Sequence, residues 1–335
     1  MQERGEFMAE KPEAITGTGT INDPYIVHNY NEIKWVCEDE TAIPEGQTVK
    51  MFVYMKLNNN IDCQDYDEDF EWSIECQHAV DINLNNKTIK TFYIVSRAYL
   101  FTIPNNVGNF NMHDGAILNI YGNWFDPSSG VFSYERSADT DMFSITNVSM
   151  SINVSQFTDT NIIISGPTSV SPYVTFTNCA ITLEGTLQGT PYCLFSYTGL
   201  YTCDFMLNIT PRHSSFSCIR SSSVLQDCRA QGVIDYSLIT TNNATISFAS
   251  LSVARNCVFD LQMILPAVIT TEKQFLYNTA TSPYNYGIYN RNKLPDLITF
   301  SNTDYIECTT QDMDMRVNPH ADTTLQEKGF EVIKG

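Results

Sequence analysis

The sequence predicts an all-β chain wound as a right-handed parallel β-helix, a solenoid of about ten coils with an N-terminal cap containing a short helix. Three observations predict it. Short period-two runs recur along the chain. A cysteine-centred repeat returns at nearly constant spacing. Asn, Thr and Ser fill the polar positions, and these residues suit strands and tight corners.

The first strand signal is the strongest. Val148, Met150, Ile152 and Val154 alternate with Ser149, Ser151, Asn153 and Ser155, which puts one aliphatic and one small polar face on a strand. Shorter runs follow the same period, among them Ala116/Leu118/Ile120, Ile181/Leu183, Phe205/Leu207/Ile209 and Phe259/Leu261/Met263. Asn-Gly, a strong hairpin signal, does not occur, so coils are favoured over a meander.

The repeat is centred on Cys179, Cys203, Cys228 and Cys257, spaced by 24, 25 and 29 residues on subtraction. Each cysteine follows a polar corner and precedes a strand, as in Thr175-Phe-Thr-Asn-Cys-Ala-Ile-Thr-Leu183 and Gly199-Leu-Tyr-Thr-Cys-Asp-Phe-Met-Leu207. In-register coils would stack the four thiols as an internal ladder, ~4.8 Å apart. Parallel Cβ vectors suit a disulfide poorly, so the ladder reads as packing. The chain has ten cysteines and no Cys-x-x-Cys pair, which argues against a zinc site. Five Asn-x-Ser/Thr sequons, at Asn86, Asn147, Asn153, Asn208 and Asn243, read as turn chemistry.

A single solenoid accommodates 335 residues without a linker. Residues 1–16 read as an anchoring tail, 17–60 as the N-terminal cap, 61–307 as coils and 308–335 as a closing segment. Within the cap, Asp23-Pro24 sets a turn, Tyr25-Ile-Val27 starts a strand, and Asn31 is placed to cap a helix carrying Ile33 and Val36.

Acids number 38 against 19 bases, a formal net charge of −19. That field disfavours nucleic acid and anionic membranes as partners, and no apolar run reaches the roughly 18 residues of a membrane helix. The N-terminal residues lack the apolar core of a secretory signal, so synthesis and folding in a cytoplasm are expected.

Both ends carry a resemblance. Gly17-Thr-Gly-Thr-Ile-Asn-Asp-Pro-Tyr-Ile-Val27 with Asn31-Glu-Ile-Lys-Trp-Val36, the coil Val80-Asp-Ile-Asn-Leu-Asn-Asn-Lys-Thr-Ile89 and the closing Leu325-Gln-Glu-Lys-Gly-Phe-Glu-Val332 are similar to pectin-lyase-like β-helix virion proteins of gut bacteriophages. They also resemble GLUG-type bacterial surface modules. The resemblance covers roughly 100 residues and implies a fold more than a role. It implies a non-enzymatic virion structural or attachment protein, such as a head fibre, collar or tail-spike subunit, made in a bacterial cytoplasm. Other virion proteins, further copies in a homotrimer and a host surface glycan would be its partners. A polysaccharide-binding or -degrading spike and a bacterial surface adhesin are the alternatives.

Catalytic chemistry finds no motif. Asp204, Asp227 and Asp260 lie near the repeated cysteines but not at one repeat offset, so they do not form the facing carboxylate pair of a glycosidase. His28, His78, His113, His213 and His320 are scattered. No nucleophile elbow, phosphate loop or dinucleotide fingerprint occurs, and no cofactor is expected. Asp65, Asp67 and Asp69 have the alternate spacing of a calcium loop, but Phe70 takes the place of its glycine and Cys76 that of its closing glutamate. Tyr284, Tyr286 and Tyr289, with Trp124 as a lesser candidate, supply aromatic faces of the kind that stack on sugars or build subunit contacts.

Overall fold

The structure, a computed structural model, describes residues 11–66, 72–93, 99–121, 130–135, 141–156, 161–165, 174–187, 193–221, 223–277, 286–300 and 304–308. The chain is a parallel β-solenoid with one α-helix among the described residues. Its spine is a ladder in which Tyr25 pairs with Met55, Met55 with Ile82, Ile82 with Met112, Met112 with Ile145, Ile145 with Phe176, Phe176 with Leu200, Leu200 with Leu225 and Leu225 with Ala254. Strands Tyr286–Asn290 and Asp304–Cys308 extend it, giving eleven rungs among the described residues. The opposite wall has eight short strands there, from Ile74–Glu75 to Leu276–Tyr277. About seven turns are thus walled by strands on both sides, fewer than the ten coils expected.

The turns along the spine take 30, 27, 30, 33, 31, 24, 25 and 29 residues on subtraction. The last three correspond to the cysteine repeat; the earlier ones are longer and carry no shared motif.

One corner column organises the rod. Asp114, Asn147, Asn178, Thr202, Asp227 and Asn256 stack turn on turn, each with φ between 50° and 59°. Asn and Asp enter this left-handed region at low cost, whereas β-branched Thr202 enters it at about 1–2 kcal/mol. The residue after each corner points into the core: Gly115, Val148, Cys179, Cys203, Cys228 and Cys257 in succession. Gly115 heads this column because a Cβ there would lie 2.7 Å from the Lys87 carbonyl oxygen. Asp114-Gly115 is an Asp-Gly pair, a hairpin signal in a meander; here it forms a solenoid corner inside the continuous strand Phe110–Tyr121.

Inward residues stack on their equivalents one turn away. Phe110 stacks on Phe143 at 5.0 Å, and Phe248 on Phe275 at 5.4 Å. These rings are fully buried, each contributing ~1.5–3 kcal/mol as an upper range.

Helix Tyr30–Glu38 covers the first turns. Its N-cap is Asn29, two residues ahead of the expected Asn31. The reason is a capping box: Asn29 Oδ1 accepts from the Glu32 amide at 3.0 Å, and Glu32 Oε1 accepts from Asn29 Nδ2 at 2.7 Å. Asn31 instead lies in the first helical turn. No helix among the described residues is long and apolar enough to cross a membrane.

Candidate functional site

The register sets six outward side chains of three successive turns in a grid. Tyr54, Asp81 and Asn111 form one column; Lys56, Asn83 and His113 form the next. Outward columns follow from the two-residue period of each strand, and neighbouring rungs are ~4.8 Å apart. With Ile21 and Pro24 from the cap loop, residues of this grid line a cleft of about 270 Å³.

His113 is the electrostatic centre. Its Nε2 lies 3.0 Å from Asp81 Oδ1 and its Nδ1 2.8 Å from Asp114 Oδ2. The hydrogen bond to Asp81 is the largest influence, partial burial opposes it, and Asp114 adds to it; together they raise the imidazole to about 9. Both ring nitrogens therefore donate, and the group is an imidazolium at neutral pH. Asn111 Nδ2 holds the second Asp81 oxygen at 2.6 Å. Asn147 Nδ2 bonds Asp114 Oδ1 at 2.9 Å and, with His113, holds that carboxyl below its usual range. A protonated histidine clamped this way positions its neighbours; it is not a free base.

Sequence reading passed over Asp81, Asn111 and His113. Recognising them required the 27- and 30-residue turn lengths of the N-terminal half, which the cysteine repeat does not carry.

The four cysteines stack within the core in adjacent register, each buried. Their thiols donate to main-chain carbonyls: Cys203 to Phe176 at 3.4 Å, Cys228 to Leu200 at 3.2 Å, Cys257 to Arg255 at 3.2 Å. The contact with Cys203 and burial push the Cys179 thiol up, and burial pushes Cys228 up. Such thiols are poor nucleophiles. Among the described residues, no group of three or more His, Cys, Asp or Glu side chains could hold a metal ion.

The other expected residues are dispersed. Asp65 is exposed at the end of the 3-10 turn Cys63–Asp65, while Asp67 and Asp69 lie outside the described residues. Trp124 and Tyr284 also lie outside them. Tyr286 opens strand Tyr286–Asn290. Tyr289 is buried and its ring stacks on Phe300 at 3.9 Å, so it belongs to the core and offers no face to a ligand. The reason is strand parity: Tyr289 pairs with inward Phe259. Asp204 pairs in register with Arg229, Asp227 bonds Asn256, and Asp260 bonds Asn290 and Lys293. These three acids sit in different columns.

No known protein family and no curated protein matches the chain. A solved structure of a candidate immunoglobulin A1 protease from Bacteroides ovatus is similar at 15% identity, over 74% of this chain and 79% of that one, with a TM-score of 0.34. A likeness at that score carries no argument about this chain's activity.

Proposed function

We propose that the chain is a non-enzymatic attachment protein of a bacteriophage virion, a head fibre, collar or tail-spike subunit that presents the lateral face of its solenoid to a host surface glycan. The observation supporting this reading is the uninterrupted parallel ladder, which sets one outward side chain per turn at fixed spacing along a rigid rod. A long ligand running along the axis meets such a surface at every rung. In this reading residues 1–16 join the rod to other virion proteins, and three copies associate side by side. The resemblance of the cap and closing segments to phage β-helix proteins supports the same role.

Mass spectrometry of gradient-purified particles tests it. Stoichiometric recovery with the particles, lost on deletion of residues 1–16, supports the reading. Recovery in a bacterial envelope fraction instead overturns it in favour of an adhesin.

A further inference from the structure

We propose that the cleft between the cap loop and the first turns binds a carboxylated saccharide, one hexuronate-type ring of a longer polymer. The proposal deepens the attachment reading and rests on it for a glycan ligand; the site and the ligand's charge come from the geometry.

Hydrogen-bond capacity decides the chemistry. The acidic acceptors of the cleft are engaged, since Asp81 accepts from His113 on one oxygen and from Asn111 on the other. The two N–H groups of His113 are engaged by Asp81 and Asp114. Asn83 Oδ1 accepts from the Asn85 amide at 2.7 Å. Two donors then face the cleft without a partner among the described residues, the Asn83 carboxamide N–H₂ and the Lys56 ammonium. A cleft whose acceptors are occupied and whose donors are free calls for a ligand that brings acceptors. The strongest acceptor for a lysine ammonium is a carboxylate.

The remaining lining fits a sugar ring. Tyr54 offers a half-buried aromatic ring beside Lys56, and Ile21, 69% exposed, stands with Pro24 as an apolar wall. About 270 Å³ falls just under the ~300–1,000 Å³ range of small-molecule sites, so the cleft holds one ring and leaves its polymer outside. The chain's net charge of −19 repels free anions at long range. Selectivity therefore resides in Lys56 and the ring contacts rather than in the overall field.

Calorimetry on the full chain with a trigalacturonate and a neutral galactose trisaccharide tests the site. The acid is expected to bind at least about tenfold more tightly. Lys56→Gln should reduce acid binding to the neutral level, Tyr54→Ala should weaken both sugars, and Lys34→Gln, on the helix, should change neither. Equal binding of the two sugars, acid binding that survives Lys56→Gln, or no binding by the folded protein overturns the proposal. Failure here with the chain still present in purified particles sinks the cleft alone. A bound uronate with the chain absent from particles sinks the virion reading alone.

Discussion

Asn147 donates from Nδ2 to Asp114 Oδ1 at 2.9 Å across one turn of the solenoid, and both residues hold a left-handed backbone. The next turn repeats the relationship, with Asn178 Nδ2 on Asn147 Oδ1 at 2.7 Å. The side chain that makes the corner backbone accessible therefore also ties that corner to its neighbour.

Replacing Asn178 with Val should cost about 1–3 kcal/mol, combining left-handed strain with the lost hydrogen bond. Asn178→Gly should cost less, since glycine tolerates the backbone. Denaturant midpoints at unchanged slope measure both. Equal losses for the two variants would show that strain does not matter at this corner.

The nine described cysteines are buried and unbridged. They should resist alkylation in the native protein and react together on unfolding. Mass spectrometry after iodoacetamide treatment, with and without urea, reads this directly. Rapid native labelling at Cys203 or Cys228 would contradict the packed ladder.

His113 should stabilise the fold on its acid side. Its folded value of about 9 exceeds the 6.5 of the unfolded chain, so the contribution is complete below pH 6.5 and is lost as pH rises through about 9. Solvent screening of this partly exposed group reduces the effect to roughly 1 kcal/mol. Thermal melts from pH 6 to 10 should show the decline, and His113→Gln should flatten it.

His78 should act in the opposite direction. The ring is fully buried against the cap, and burial lowers its pKa from 6.5. The unfolded chain therefore takes up the proton more readily, and stability falls as pH drops below 6.5. His78→Leu should flatten this acid limb. Trp35 and Trp72 fluorescence would report it near the cap, and an unchanged acid limb in the variant would exclude His78 as its source.

How much the sequence revealed depended on turn length. Cys179, Cys203, Cys228 and Cys257 were legible because their turns are short and each repeats a corner, a thiol and a strand. Between Met55 and Ile145 the turns run from 27 to 33 residues, and Gly115 and Val148 replace the thiol, so no motif marks the column. Asp81 and His113 meet only once those unequal turns are stacked, and the cleft was invisible for that reason. Tyr289 misled because an aromatic-rich segment looks alike whether its rings face ligand or core; strand parity decides, and parity came from pairing with Phe259.

The ladder has a mechanical corollary. Its hydrogen bonds lie along the rod, so a load spread across a whole turn is shared by every strand of that turn, whereas tension on the chain ends peels one turn at a time. Successive turns from Tyr25 to Ile145 hold 27 to 33 residues, and each one released would yield roughly 100 Å of extended chain. Pulled from its ends, the rod would lengthen in even steps of that size before breaking, a shock absorber made from the same pairing that keeps it stiff at rest.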